Sequence, residues 1–337
     1  MSEDFLLLDV EERREVYGAV AVELGVPGEI LEKDVWICWA LEVLFGDPDR
    51  LPMAFKGGTS LSKVFGAINR FSEDIDLTVA VPSADFGEGR IPTSRNRLDK
   101  LRDTLLGELA EYLRDHVTPR LATAASAVPG FPDDAVVMSA ADTIDLAYPS
   151  CFPKQKCYLT ERVKLEFGAR NILEPSDRHM LRPYIAASLD AEIRLPMATV
   201  DVLSPERTFW EKATLAHDEC GRGAWYRGAE RISRHWYDLA VLADHPIGVG
   251  AIGNTALLVD VVRVKTAFFR RRTSNYDDCL SGGLRILPDA DGLAALRQDY
   301  DAMIEAGMFS TAPPPFDAVV ERLVRLEQTI NSQRART

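Results

Sequence analysis

Residues 56–79, KGGTSLSKVFGAINRFSEDIDLTV, hold a glycine pair, two hydroxyl residues, a short stretch of helical composition, and then two aspartates spaced Asp-x-Asp at the head of a β-branched run. A strand ending at Phe55 must turn at Gly57 and Gly58, where the missing side chains let backbone N–H groups approach an anion closely. Thr59 and Ser60 add hydroxyl donors at a helix start, where the dipole favours negative charge, and Lys63, one turn on, is grouped with them as a nucleotide contact. Side chains alternate along a strand, so Asp74, Asp76 and Thr78 face one way while Ile75, Leu77 and Val79 face the core. Mg²⁺ needs only one or two protein carboxylates beside phosphate and water oxygens, so this pair is a candidate metal site and the glycine turn a candidate phosphate cradle. Either half alone has a plain structural reading, since a GG pair is usually just a turn and an isolated DxD is common on surface strands. In the order strand, turn, helix, strand, they point together to metal-dependent chemistry on a nucleoside triphosphate.

Upstream, residues 8–24 and 29–46 carry apolar residues at three and four spacing (Val35, Ile37, Cys38, Leu41, Leu44, Phe45), which predicts two helices, with Glu32, Lys33 and Asp34 in the first turns of the second. Downstream, 82–97 is rich in Pro, Gly and Ser and reads as a loop, 98–118 as a charged amphipathic helix, and 136–147 as short strands. From Tyr158 to Phe167, Val163, Leu165 and Phe167 alternate with Lys164 and Glu166. That strand makes Glu166 a candidate third carboxylate, although an i, i+2 ion pair with Lys164 explains it equally well.

From Asp201 the pattern turns helical. Ser204 and Pro205 form an N-cap and N1 pair, and the helix carries Lys212 on a face it shares with Phe209, Ala213 and Ala216. Such a lysine either snorkels from a core edge or aims its charge at a triphosphate. A Gly-, Arg- and aromatic-rich loop at 217–230, suited to mobility, precedes a helix over 231–243 in which Arg231, Arg234 and Asp238 share a stripe. Arg234 and Asp238 have the spacing of a helix ion pair. Helices over 255–274 and 316–333 complete an α+β reading, with a sheet-containing region at 1–200 and a helical region at 201–337.

A chain of 337 residues exceeds the usual single domain, which favours this two-part division. With 46% hydrophobic and 27% charged residues it has the composition of an ordinary globular protein. Its apolar stretches, such as 35–45, are too short or too interrupted to span a bilayer, and the acidic start MSEDFLLLDVEERREV lacks the basic region of a signal peptide. The expectation is a cytoplasmic protein with no membrane partner. The five cysteines, Cys38, Cys151, Cys157, Cys220 and Cys279, are scattered without metal spacing and read as reduced structural thiols.

A net charge of −13 argues against a general nucleic-acid coating protein, which would be basic. The arginines at 222, 227, 231, 234, 263 and 270–272 form the one basic concentration. Each is explained most simply by a solvated face; together they could flank a polyanion groove. Trp225, Tyr226 and Trp236 could stack on unpaired bases, although core packing is the commoner role of such residues.

The glycine-hydroxyl turn followed by Asp-x-Asp resembles the nucleotidyltransferase fold of the DNA polymerase β superfamily. More narrowly, Glu32-Lys33-Asp34-Val35-Trp36, Lys56-Gly57-Gly58-Thr59-Ser60-Leu61 and Arg70-Phe71-Ser72-Glu73-Asp74-Ile75-Asp76-Leu77 resemble the AbiEii/AbiGii toxin family. So do Lys164-Leu165-Glu166, Gly168-Ala169-Arg170, Glu211-Lys212 and Arg234-His235-Trp236-Tyr237-Asp238-Leu239. The matches run in order from about residue 30 to 240. The resemblance implies a nucleotidyltransferase-type mixed β-sheet with packed helices, plus a helical C-terminal region closing a cleft. It implies an abortive-infection toxin of an AbiE-type toxin–antitoxin system, with a separately encoded, DNA-binding antitoxin as partner. In the MenT group of this family, pyrimidine nucleotides are added to the tRNA 3′ acceptor end. The positions carried over are Ser72, Asp74, Asp76, Lys212 and Asp238, with the turn from Gly57 to Ser60. The long Gly/Arg-rich stretch between Lys212 and Asp238 departs from the family pattern.

The resulting expectation is an NTP-dependent nucleotidyl transfer in which Asp74 and Asp76, with Glu166 as third ligand, hold up to two Mg²⁺ ions. Glu166 or Asp74 would take the proton of the attacking hydroxyl. Lys212, helped by Ser60 and Ser72, would neutralise the leaving pyrophosphate, and Asp238 would orient Lys212 or an arginine. The leading acceptor is tRNA. The alternatives are a small molecule or a protein side chain, and, from a different class, a non-catalytic protein that binds nucleotide or antitoxin.

Overall fold

The computed structural model describes residues 3–87, 89–152, 162–189, 192–222 and 231–335. The chain divides into two compact units, the first made of 1–64, 70–85 and 99–203, the second of 65–69, 86–98 and 204–337.

In the first unit a seven-stranded mixed sheet is assembled from β2 (Met53–Lys56), β3 (Asp74–Val79), β4 (Val136–Ala140), β5 (Thr143–Ala147), β6 (Arg162–Gly168), β7 (Ser176–Leu181) and β9 (Ala198–Leu203). Two residues at the N-terminus, β1 (Glu3–Asp4), pair separately and in parallel with β8 (Ile193–Arg194). The sheet order is β4-β5-β6-β3-β2-β9-β7, which puts β3 and β2 near the centre. β3 runs parallel to β6 and antiparallel to β2, while β2 runs parallel to β9. The fold is therefore α+β with a mixed sheet.

Helices α1 (Val10–Leu24) and α2 (Gly28–Phe45) precede the sheet, and α2 packs on it at β6 and β9. α1 starts on a capping box, in which Asp9 accepts from the Glu12 N–H and the Glu12 side chain returns to the Asp9 N–H. α2 is buried almost all round, including Val35, Trp36 and Leu41. That explains why three and four spacing predicts its existence but not its single-sided amphipathicity: a helix apolar on every face is an interior one. α3 (Gly57–Lys63) joins β2 to the segment before β3. The helix expected over 98–118 begins earlier, as α4 (Arg95–Tyr112), and passes through a π-helical turn at Leu113–Val117 into α5 (Thr118–Ser126).

Four strands lie where no strand is expected, the two-residue β1 and β8 and the longer β7 and β9. β7 reads Ser-Asp-Arg-His-Met-Leu, with no apolar alternation, because it is an edge strand paired only with β9. β9 ends one residue before the Ser204 cap, so a reading that starts helix at Asp201 takes in the end of a strand.

The second unit is helical: α6 (Pro205–Gly221), α7 (Ser233–Leu242), α8 (Pro246–Gly253), α9 (Thr255–Phe268), α10 (Ala290–Glu305) and α11 (Phe316–Arg334). Its core includes Phe209, Trp210, Trp236, Leu239, Leu258 and Leu323. Trp236 donates its indole N–H to the Ile286 carbonyl at 2.6 Å, a core role that removes it from any base-stacking surface. Trp225, Tyr226, Arg227, Cys157 and most of the 217–230 loop lie outside the described residues; residues 217–221 belong to α6. Among the described residues no single helix is long and apolar enough to cross a membrane.

Candidate active site

The glycine turn and the aspartate strand meet in the first unit. β2 pairs with β3 so that Lys56 stands opposite Asp76, and the chain must then pass the Asp76 carboxylate at Gly57. Gly57 does so with φ +84°, and a Cβ there would lie 2.0 Å from Asp76 Oδ2. Only glycine satisfies both constraints. At Gly58 a Cβ would fall 2.6 Å from Arg70 Nη2 and 2.8 Å from Ser72 Oγ, so Arg70 and Ser72 close the other side of the turn.

The hydroxyls divide. Thr59 Oγ1 donates to the Asp74 carbonyl at 2.5 Å, and Ser60 Oγ donates to the Gly57 carbonyl at 3.0 Å, so both stiffen the turn and tie it to β3. Ser72 Oγ stands beside the backbone of Gly58. Lys63 is engaged elsewhere: its buried ammonium pairs with Asp34, donates to the Arg182 carbonyl at 3.1 Å and sits 4.0 Å above the Tyr184 ring. Since α3 spans only seven residues, the anion-binding character of this place rests on the turn, Arg70 and Ser72 more than on a helix dipole.

Strand alternation puts the Asp74 and Asp76 side chains on one face. The parallel pairing of β3 with β6 sets Asp76 beside Glu166 and Asp74 beside Lys164. Glu166 Oε1 is ion-paired with Lys164, as the structural reading of the sequence anticipates. Burial alone would lower the Lys164 pKa, but the hydrogen bond and charge of Glu166, with the charges of Asp74 and Asp145, outweigh it and hold it above the usual lysine value. Lys164 is thus a resident counter-charge among these carboxylates. Among the described residues no three His, Cys, Asp or Glu side chains converge on one point, so Glu166 does not join Asp74 and Asp76 as a third carboxylate there, and of the expected ligands the aspartate pair shares a strand face. Such a pair fits Mg²⁺, which fills its remaining octahedral positions with phosphate and water oxygens.

In the second unit, Ser204 caps α6 by accepting from the Arg207 N–H at 3.2 Å, which sets the phase that carries Lys212 inward beside Phe209, Ala213 and Ala216. Lys212 Nζ lies 2.9 Å from Asp238 Oδ2 of α7 and 3.3 Å from His235 Nδ1. Lys212 and Asp238 are both buried. Asp238 is therefore a partner of Lys212, and the long intervening stretch does not separate them. The start of α7 is held by Asp299 of α10, whose two carboxylate oxygens accept from the Arg231 and Ser233 N–H groups, each at 2.7 Å.

Sequence reasoning missed Arg70 and His235 as members of these constellations. Each stands inside a stretch singled out for other residues, RFSEDID and RHWYDL. No spacing rule marks them, because their role depends on cross-strand or cross-helix register.

A glycine turn threaded past an Asp-x-Asp strand on a central antiparallel pair defines the core of a nucleotidyltransferase. The sequence matches the family described as nucleotidyl transferase AbiEii toxin, type IV toxin–antitoxin system, over residues 39–322, and the chain belongs to that family. Membership makes it a nucleoside-triphosphate-using enzyme with an antitoxin partner, in a family that generally employs a divalent metal. Among solved structures it is similar to MenT4, the nucleotidyltransferase toxin Rv2826c from Mycobacterium tuberculosis H37Rv, with 17% identity, a TM-score of 0.45 and coverage of 94% of this chain and 98% of that one. No curated protein matches the chain.

Proposed function

We propose that this toxin transfers a nucleoside monophosphate, from a pyrimidine triphosphate, to the 3′ acceptor end of tRNA in a Mg²⁺-dependent reaction. The observation that carries the transfer chemistry is the threading of Gly57 past Asp76, which brings a backbone suited to phosphate against a carboxylate suited to the metal. The tRNA acceptor and the pyrimidine preference rest on the resemblance of the ordered motifs to the AbiEii/AbiGii family, whose MenT group adds pyrimidine nucleotides to tRNA.

Asp74 and Asp76 are the residues that would hold the metal. When bound, it supplies positive charge to the triphosphate and to the attacking hydroxyl. Gly57 and Gly58 present backbone to the phosphates, and the Ser72 hydroxyl and Arg70 guanidinium add a donor and a charge beside Gly58. The acceptor oxygen bonds to the α-phosphorus, the bond to the β-phosphate oxygen breaks, and pyrophosphate leaves. Glu166 takes the hydroxyl proton on Oε2, since Oε1 is held by Lys164. The resemblance assigns Lys212 to charge neutralisation on pyrophosphate, and within the second unit Asp238 and His235 fix its ammonium.

A second acceptor class, a small molecule or a protein side chain, is favoured by the pairing of three arginines of the basic concentration with acids. Arg222 lies 2.6 Å from Glu219, Arg263 2.6 Å from Asp260, and Arg271 3.4 Å from Asp218. The deciding experiment incubates the purified protein with Mg²⁺, each labelled triphosphate in turn, and total tRNA, alongside Asp74→Ala. Label on tRNA from the wild type alone supports the proposal, with CTP or UTP the preferred donor. Label on protein or on small molecules moves the acceptor to the second class, and no label with any triphosphate would falsify the transfer chemistry in these conditions.

A further inference from the structure

Three consecutive charged residues, Glu32, Lys33 and Asp34, lie buried in the first turns of α2. Successive helical residues point about 100° apart, so the three cannot share one partner. Each reaches a different segment of the first unit. Glu32 accepts from the Cys151 N–H and from Ser150 Oγ, both at 2.6 Å. Lys33 Nζ meets Glu73 Oε2 at 2.5 Å, with both side chains buried. Asp34 accepts from Lys63 Nζ and from the Tyr184 N–H, the latter at 2.6 Å.

The destinations of the second and third are the two elements that make the site. Glu73 directly precedes Asp74, and Lys63 is the last residue of the helix that begins at Gly57. The Thr59 hydroxyl closes the figure by bonding the Asp74 carbonyl. Two adjacent residues of one rigid helix thus grip the end of the turn helix and the start of the aspartate strand. A buried ion pair of this kind adds little net stability over an apolar pair of equal volume, because desolvation offsets the Coulombic gain. What it supplies is a fixed distance and direction.

We propose that Lys33 and Asp34 are positioning residues for nucleotidyl transfer: through Glu73 and Lys63 they set the register of the Asp74–Asp76 carboxylates against the Gly57–Gly58 turn. The proposal rests on the transfer reading above for its kinetic arm and on the carboxylate pair alone for its binding arm. Lys33 and Asp34 touch neither nucleotide nor acceptor and act only through the elements they hold. Loss of a supporting contact of this kind lowers metal affinity or turnover by about 10- to 100-fold.

The test replaces the first pair by apolar residues of similar volume, Lys33→Met with Glu73→Leu, in the full chain. Three quantities are read: thermal midpoint by circular dichroism, Mn²⁺ affinity by electron paramagnetic resonance without turnover, and kcat and KM for the triphosphate. The expected result is a midpoint near that of the wild type, Mn²⁺ affinity at least about 10-fold weaker, and kcat at least about 10-fold lower. A double variant with wild-type midpoint, Mn²⁺ affinity and kcat overturns the proposal. If the double variant does not fold, Lys33→Arg decides, since it keeps the charge and changes the reach. A folded Lys33→Arg protein with weakened Mn²⁺ binding supports positioning, and one with wild-type Mn²⁺ binding overturns it. Should the wild type transfer nucleotide to no acceptor, the transfer reading falls while the Mn²⁺ arm still decides the positioning claim.

Discussion

Gly57 is the residue on which the site turns, because its positive φ and its contact with Asp76 are separate demands that glycine alone meets. Gly57→Ala must strain the backbone, at about 1–3 kcal/mol, and drive Asp76 away from its place. The expected outcome is a folded protein of lowered thermal midpoint whose transfer rate falls at least about 100-fold. A single-turnover assay beside a melting curve checks both parts. Asp238 behaves differently, since it is fully buried against Lys212. Asp238→Ala leaves a buried ammonium without its carboxylate and should cost about 3 kcal/mol in urea unfolding, whereas Lys212→Met with Asp238→Leu should recover most of that loss without recovering activity. At this scale the sequence was legible wherever chemistry is spelled by residue type and close spacing. The glycine pair, Asp-x-Asp and the inward Lys212 are of that kind. The Lys63 ammonium, which spacing groups with the nucleotide turn, goes instead to Asp34, because helix phase and the approach of Tyr184 decide its direction.

At the scale of elements, long periodic helices and alternating strands are visible in the sequence because one face of each is apolar. β7 is not, being an edge strand whose exposed positions carry Asp177, Arg178 and Met180. The start of α7 is equally hidden, since its N–H groups are capped by Asp299 from α10, 66 residues away at Ser233. Helix pairing in the second unit gives a pH prediction. Arg207 of α6 is buried and meets Asp260 of α9 at 2.8 Å, with Arg263 on the other carboxylate oxygen at 2.6 Å. Burial alone would push the Asp260 carboxyl up, but hydrogen bonds from Arg263 and Arg207, with their charges, outweigh it and hold it below the usual carboxylate range. A carboxyl whose pKa is lower folded than unfolded adds stability above its unfolded value, near 4, and that stability is lost as pH falls through the folded value. Asp260→Asn should therefore cost about 2 kcal/mol at pH 7 and less as the pH drops below about 4. Thermal midpoints of wild type and variant, followed from pH 7 to pH 2, should converge on the acid side. The thiols follow the same logic of burial. Cys38, Cys151, Cys220 and Cys279 are free and buried, and burial pushes each up to about 12. Peptide-level mass spectrometry should find these four unmodified by iodoacetamide at pH 8 until the protein is unfolded.

Over the whole molecule, charge is the property that bears most directly on the acceptor. The net charge of −13 opposes a long approach to a polyanion, and three arginines of the one basic concentration, Arg222, Arg263 and Arg271, are answered by acids. Arg222 meets Glu219, Arg263 meets Asp260, and Arg271 reaches both Asp218 and Glu219, at 3.4 and 3.5 Å. Composition shows the arginines, but only the folded register shows which carboxylates stand beside them. A guanidinium already paired must give up its carboxylate to gain a phosphate, so each such exchange releases little free energy. A tRNA substrate would then be gripped at few phosphates, chiefly near its reactive end. Neutralising Z phosphates gives a slope in log K against log salt of about −0.7Z to −0.9Z, so about three contacts predict a slope near −2 to −3. Fluorescence anisotropy with end-labelled tRNA, from 50 to 200 mM KCl at constant Mg²⁺, measures it directly. A slope steeper than about −6 would require a broad basic track of at least about seven phosphate contacts and would overturn this expectation.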